Sequence, residues 1–258
     1  MPPWLSKKVL ITVRTYPTPA RKGIEVSCTA GVTDQREWIR LFPVPYRFLD
    51  DDKRFKRYQW VEVRVLRATD DARPESYKLD VDSIKIVSGP IPPQPNKWQA
   101  RKDLVYPLRS PSLCWLQETR DRQHYPTLGI FRPAEITRLI MEPDAATWTP
   151  DQLARLRQHT LFNKMPATEL EKIPFRFKYE FRCEASDCPG HSLTCTDWEL
   201  GQSYRRYRRE YGADLWETKF RDRFEKDMIE KNDTHFYVGT LHHHPNIWII
   251  VGLFYPRK

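Results

Sequence analysis

Cys183, Cys188, His191 and Cys195 lie within thirteen positions of a 258-residue chain that has only five cysteines. Thiolates and neutral imidazoles are the donors that a tetrahedral Zn²⁺ takes, and Pro189-Gly190 is a turn sequence able to fold such donors back on one another. Four protein ligands would close the coordination sphere and make the site structural; three plus water would leave it open for catalysis. If Cys195 packs in the core instead, His235 or one of His242, His243 and His244 is the remaining imidazole for the fourth position. A buried thiol cluster without metal and a disulfide are the alternatives.

The spacing C-x4-C-x2-H-x3-C resembles a zinc knuckle in ligand type and compactness. It departs from that motif's usual C-x2-C-x4-H-x4-C, so the resemblance covers this segment alone. It implies zinc as the cofactor and a brace for the last third of the chain.

Asp197 and Glu199 are the acidic pair beside the cluster. With His243 from the C-terminal loop they could hold a catalytic ion, as a metal-dependent nuclease or nucleic-acid-processing hydrolase requires. The competing expectation is a helix start: Thr196-Asp-Trp-Glu199 fits a capping box, and carboxylates favour the positive end of a helix dipole. Asparagine caps as well as aspartate, so on that reading Asp197→Asn is almost neutral.

A second chemistry is phosphate contact. Lys+Arg number 43 against 34 Asp+Glu, a net charge of +9. Residues 1–95 carry 17 basic and 12 acidic side chains, a net of +5, whereas residues 171–258 carry 15 and 14, a net of +1. Lys53, Arg54, Lys56 and Arg57 interleave with Phe55, Tyr58 and Trp60, which suits backbone contact plus base stacking. Arg205, Arg208 and Arg209 share one face of a helical stripe whose other face is Tyr204 and Tyr207, although acidic residues of the next helix could neutralise them. Nine tryptophans also leave room for a surface that docks a protein partner.

The elements that must position these residues read as α+β. Residues 1–90 form a basic β-rich domain, a small barrel or bent sheet, with strands at Lys8–Thr15, Gly23–Ala30, Glu37–Phe42, Tyr58–Val65 and Ser83–Val87. Residues 91–130 form a Pro-rich connector pinned by Trp98, Tyr106 and Trp115, since each proline removes an amide donor. Residues 131–258 form an α+β domain braced by the Cys/His site. Its first helix spans Arg132–Met141, and a second starts at Thr149 with Leu153, Leu156 and Leu161 on one face. Phe175, Phe177, Tyr179 and Phe181 alternate with charges as a strand running into Cys183. Two helices then follow, the first closed by Gly212, and two strands flank the His242–Asn246 loop.

The longest apolar run, Ile247–Tyr255, is nine residues, too short to span a membrane as a helix. No secretory leader is visible, and Cys28 and Cys114 stand alone as packed thiols, which together point to the reducing cytoplasm. Phosphate-loop and dinucleotide-binding glycine patterns are missing. The expectation is a cytoplasmic, zinc-stabilised protein that binds DNA or RNA.

Overall fold

The computed structural model describes residues 3–20, 25–94, 98–158 and 169–258. The chain divides into two units. Unit 1 is Met1–Pro90 with Asp144–Pro174, and unit 2 is Ile91–Pro143 with Phe175–Lys258.

Unit 1 is built from β1 (Leu5–Arg14), β2 (Thr18–Pro19), β3 (Glu25–Thr33), β4 (Trp38–Val44), β5 (Trp60–Arg67), β6 (Ser76–Leu79) and β7 (Lys85–Ile86). Five of them follow the order β1-β3-β4-β6-β5, and β5 pairs back onto β1 from Leu5↔Val65 to Leu10↔Trp60, closing a barrel. The pairings are antiparallel except β4 with β6, which is parallel. Closure leaves no free edge among these strands.

Alternation explains the core. In β5, Val61, Val63 and Val65 are buried while Glu62 and Arg64 are exposed. They meet Val9, Ile11, Ile39, Leu41 and Val44, and the β4–β5 connection plugs the interior with Leu49 and Phe55. Gly31 sits against the β1 bulge, where a Cβ would lie 2.2 Å from Leu10 O, so only glycine fits.

The barrel is thus closed, but not by the strand expected at Ser83–Val87. That segment supplies only the two-residue β7, hydrogen-bonded to β5. The fifth strand is β6, which lies between β4 and β5 and was not among the expected strands. Buried ion pairs hold it: Arg40 lies 3.7 Å from Glu75 and donates to Ser76 Oγ, and Arg73 clasps Asp71 at 2.7 Å. Residues 23 and 24 of the expected second strand, Pro95 of the connector and Leu161 lie outside the described residues. The helix expected after Thr149 is present as Pro150–Gln158 and belongs to unit 1.

In unit 2 the proline-rich segment contains two helices, α1 (Gln99–Val105) and α2 (Leu113–Gln123), where a connector was expected. Pro107, Pro111 and Pro126 fall outside both helices, so neither loses an interior amide. Trp98 packs on Phe254 and Tyr255, and Tyr106 on His235, whereas Trp115 is exposed. Pro150–Gln158 is α3 in chain order.

The sheet of unit 2 runs β8 (Leu128–Phe131), β12 (His235–Thr240), β13 (Trp248–Phe254), β11 (His191–Cys195), β10 (Phe175–Arg182) and β9 (Glu135–Pro143). α4 (Trp198–Arg221) breaks at Gly212, whose φ of 67° is a backbone conformation L side chains rarely adopt, and continues as a π-helix over Asp222–Lys231. Phe177, Tyr204, Trp216, Phe220 and Phe224 form a chain of aromatic contacts in this unit.

The helix expected over Arg132–Met141 is strand β9. Its pairing with β10 jumps from Arg138↔Glu180 to Ile136↔Phe181, leaving Thr137 as an extra residue. That bulge puts Ile136 and Leu139, three apart, on one buried side and so imitates helical spacing. Among the described residues, no helix is long and apolar enough to cross a membrane.

Candidate metal centre

β10 ends at Arg182, its buried Phe177, Tyr179 and Phe181 fixing the strand, and delivers Cys183 at the sheet's end. The chain then turns. Cys188 N–H donates to Ala185 O, Arg182 Nη2 donates to Cys188 O, and Gly190 adopts φ +81°. β11 begins at His191, paired with Phe181, whose ring centroid is 5.2 Å from the imidazole. This hairpin returns Cys188 and His191 to Cys183.

The fourth member comes from elsewhere. Ser112 caps α2 by accepting the Trp115 N–H, and Leu113 and Leu116 are fully buried, which holds Cys114 in the first turn. Cys114 Sγ is 3.2 Å from His191 Nε2 and Cys188 Sγ is 3.4 Å from it. The donor atoms of Cys114, Cys183, Cys188 and His191 all lie within 4.8 Å of one another. A tetrahedron with metal–sulfur and metal–nitrogen bonds of about 2.3 and 2.0 Å has edges of about 3.5–3.8 Å. The four atoms therefore have the spacing to hold one metal ion.

Electrostatics lead to the same place. Burial opposes the Cys188 thiolate, yet the N–H groups of Cys183 and Gly190 draw that thiol below its ordinary value. Cys183 N–H reaches Cys188 Sγ at 3.2 Å. Burial, and then the neighbouring Cys183, push Cys114 up to about 12. Burial lowers His191, which favours the neutral imidazole a metal needs. Three adjacent thiols cannot all ionise unaided, and a bound divalent cation would supply the missing charge. With four protein donors such a site would be closed.

The structure brings together Cys183, Cys188 and His191 of the expected set, with Cys114 beside them where Cys195 was expected. Cys195 ends β11, paired with Phe177 and Ile250, buried and outside the group. The histidines weighed for the fourth position are elsewhere. His235 is buried against Tyr106, and His242, His243 and His244 are exposed in the β12–β13 loop. Cys114 lies far from the motif in sequence, and no spacing rule reaches it. Its only signal was Pro111-Ser112, a helix start that would hold the residue rigidly.

Asp197 is the cap of α4. Its Oδ1 accepts Glu199 N–H at 2.7 Å and its Oδ2 accepts Leu253 N–H at 2.8 Å. The capping box with Thr196 does not form, because Glu199 N–H goes to Asp197 Oδ1 and Thr196 N–H to Ile250 O. Glu199 accepts the Tyr255 hydroxyl. His243 is exposed and stacked on His242. Asp197 is 2 % exposed with both oxygens on backbone amides, the arrangement of a structural tie.

Of the basic stretch, Phe55 and Tyr58 are core residues, so they offer no stacking face. Arg54 braces the loop through Leu49 O and pairs with Asp51, Lys53 faces Asp50 and Asp82, and Arg57 donates to Thr12 O. Lys56 is exposed, and Trp60 is half-buried beneath Lys8 Nζ at 5.6 Å. The strand expected at Glu37–Phe42 is β4, where Ile39 and Leu41 are buried and Phe42, outside the expected contact set, is 39 % exposed. On α4, Arg208 and Arg209 are exposed and Arg205 is half-buried beside Gln202.

Residues 109–258 match the family model described as Domain of unknown function (DUF8757), and residues 5–107 match Domain of unknown function (DUF8758). No curated protein matches the chain.

Proposed function

The chain belongs to the DUF8757 family through residues 109–258, and we propose, from its barrel and its Cys/His group, that it is a zinc-stabilised nucleic-acid-binding protein of the cytoplasm. The observation that carries the reading is the closed five-stranded barrel with its β1-β3-β4-β6-β5 order. It resembles the OB-type Greek-key barrel, a scaffold on which nucleic acids bind across strands and adjoining loops. The basic excess of residues 1–95 supplies the attraction for phosphate. Phe42 and Trp60 offer aromatic faces for base stacking, and Lys56 and Arg54 are accessible cations. Arg205, Arg208 and Arg209 on α4 extend the cationic surface.

Zinc is the metal proposed for Cys114, Cys183, Cys188 and His191. The support is the thiolate-rich, four-donor set, which suits a closed structural zinc site. Such a site braces unit 2 and takes no part in chemistry, which together with the tied Asp197 favours a binder over a hydrolase.

The test is anisotropy of labelled single-stranded DNA and RNA across a salt series. Affinity should fall steeply with salt. Replacing Arg54 and Lys56 by alanine should shallow the slope by about 0.7 per lost contact. Lack of binding at low salt would end this reading, and an unchanged slope would move the contact off the barrel loop.

A further inference from the structure

Five side chains of unit 2, none of them in the metal centre, meet where β12 begins. His235 is fully buried at the start of that strand. Its Nδ1–H donates to Asp233 O at 2.9 Å, which leaves Nε2 to accept from Arg109 Nη1 at 3.4 Å. Burial pushes the imidazole below its ordinary value, consistent with a neutral ring. Tyr106 stacks on it with centroids 5.2 Å apart and donates its hydroxyl to Asp233 Oδ2 at 2.7 Å. Arg132 Nε donates to Asp233 Oδ1 at 2.8 Å. The backbones are fixed as well, because Arg109 bridges Ile130 of β8 and Arg132 directly follows that strand.

Positive charge is in excess here. The Arg109 guanidinium lies 4.3 Å from the Tyr106 ring centre and Lys102 Nζ lies 5.9 Å from it, while Arg132 sits on Asp233. Two cations thus lie against the Tyr106 ring and a third pairs with Asp233, with Tyr106 held neutral by burial and by Asp233. A guanidinium has five N–H donors in a fixed fork, and each arginine hydrogen-bonds its partner through one of them. Arg109 is exposed and the Arg132 side chain is 49 % exposed, so the other donors face solvent.

We propose that Arg109 and Arg132, assisted by Lys102, form a phosphate-binding site whose two forks are held in position by His235 and Asp233. Paired guanidinium forks match the oxygens of a phosphate bidentately, and side chains already restrained lose little entropy on binding it. A phosphate monoester, free phosphate and a nucleic-acid backbone share this chemistry. The last source would carry the nucleic-acid reading into unit 2, but the site itself does not depend on that reading.

The test is titration of the ¹⁵N-labelled full chain with inorganic phosphate at constant ionic strength, followed at the arginine Nε–Hε signals. Saturable shifts at Arg109 and Arg132 in the millimolar range are expected, and their loss in Arg109→Gln and in Arg132→Gln. Arg109→Lys keeps the charge without the fork and should bind several-fold more weakly, with thermal unfolding confirming that each variant is folded. Absence of saturable shifts in the wild type, or shifts undiminished in folded glutamine variants, overturns the site. A single-stranded oligonucleotide added to the phosphate-bound chain separates the sources. Displacement supports a backbone phosphate, and failure to displace supports free phosphate or a monoester while counting only against the nucleic-acid reading.

Discussion

The two units hold their distant segments together by different means. In unit 1 the sheet closes on itself, and an aliphatic interior of Val9, Ile11, Val61, Val63 and Val65 follows from simple alternation. Its stability is spread over many similar contacts, and β6 is added by buried pairs such as Arg73–Asp71. In unit 2 a few polar points tie separate segments. Cys114 joins α2 to the β10–β11 hairpin, Asp197 ties α4 to β13, and Tyr179 donates its hydroxyl to Phe224 O. Distributed contacts lose stability in small steps. Point ties fail one at a time, and each failure releases a whole segment.

The sharpest way to break this comparison is at the metal centre. Cys114→Ser should remove about one equivalent of zinc per chain and destabilise unit 2 by several kcal/mol, since structural metal binding is folding free energy. Cys195→Ser should keep the metal. Chelation should raise hydrogen exchange in α2, β10 and β11 while leaving β1 and β5 protected. Elemental analysis that finds no transition metal in the purified chain, or equal metal loss in both variants, would remove the contrast between the units.

A smaller effect is expected at Asp197. The expectation from sequence was that Asn would serve equally well, but here both carboxylate oxygens accept backbone N–H groups. An amide can supply only one such acceptor, so Asp197→Asn should cost about 1–3 kcal/mol by denaturant unfolding. A neutral result would show that the tie to Leu253 carries no weight. Divalent-metal-dependent cleavage lost in a stable Asn variant would instead make these carboxylates catalytic.

The smallest effect belongs to unit 1. Glu25 is 3 % exposed, and burial raises its carboxyl from 4.5 to about 6 despite Arg47 at 3.0 Å. A folded-state value above the unfolded one means that the folded chain binds the proton first. Stability should therefore rise as pH falls from about 6 towards 4.5, by on the order of 1 kcal/mol. Glu25→Gln should flatten that part of the profile relative to the wild type. An identical profile in the variant would mean that Glu25 titrates normally and that the barrel carries no such polar strain.

What the sequence determined by itself was local. Alternation marked Val61–Val65 and Phe177–Phe181 as half-buried strands, Gly212 marked the break in α4, and Cys183, Cys188 and His191 announced a ligand hairpin. Each of those signals lies within a few residues, the range over which backbone geometry fixes side-chain direction. Tertiary structure decided the rest. It recruited Cys114 in place of Cys195, completed the barrel with Ser76–Leu79 in parallel with β4, and assigned Asp144–Pro174 to unit 1. It also turned an apparent helix into β9, because a bulge at Thr137 gives a strand the three-residue spacing of a helix. These outcomes depend on which surfaces meet across long stretches of chain, and local periodicity carries no record of the partner.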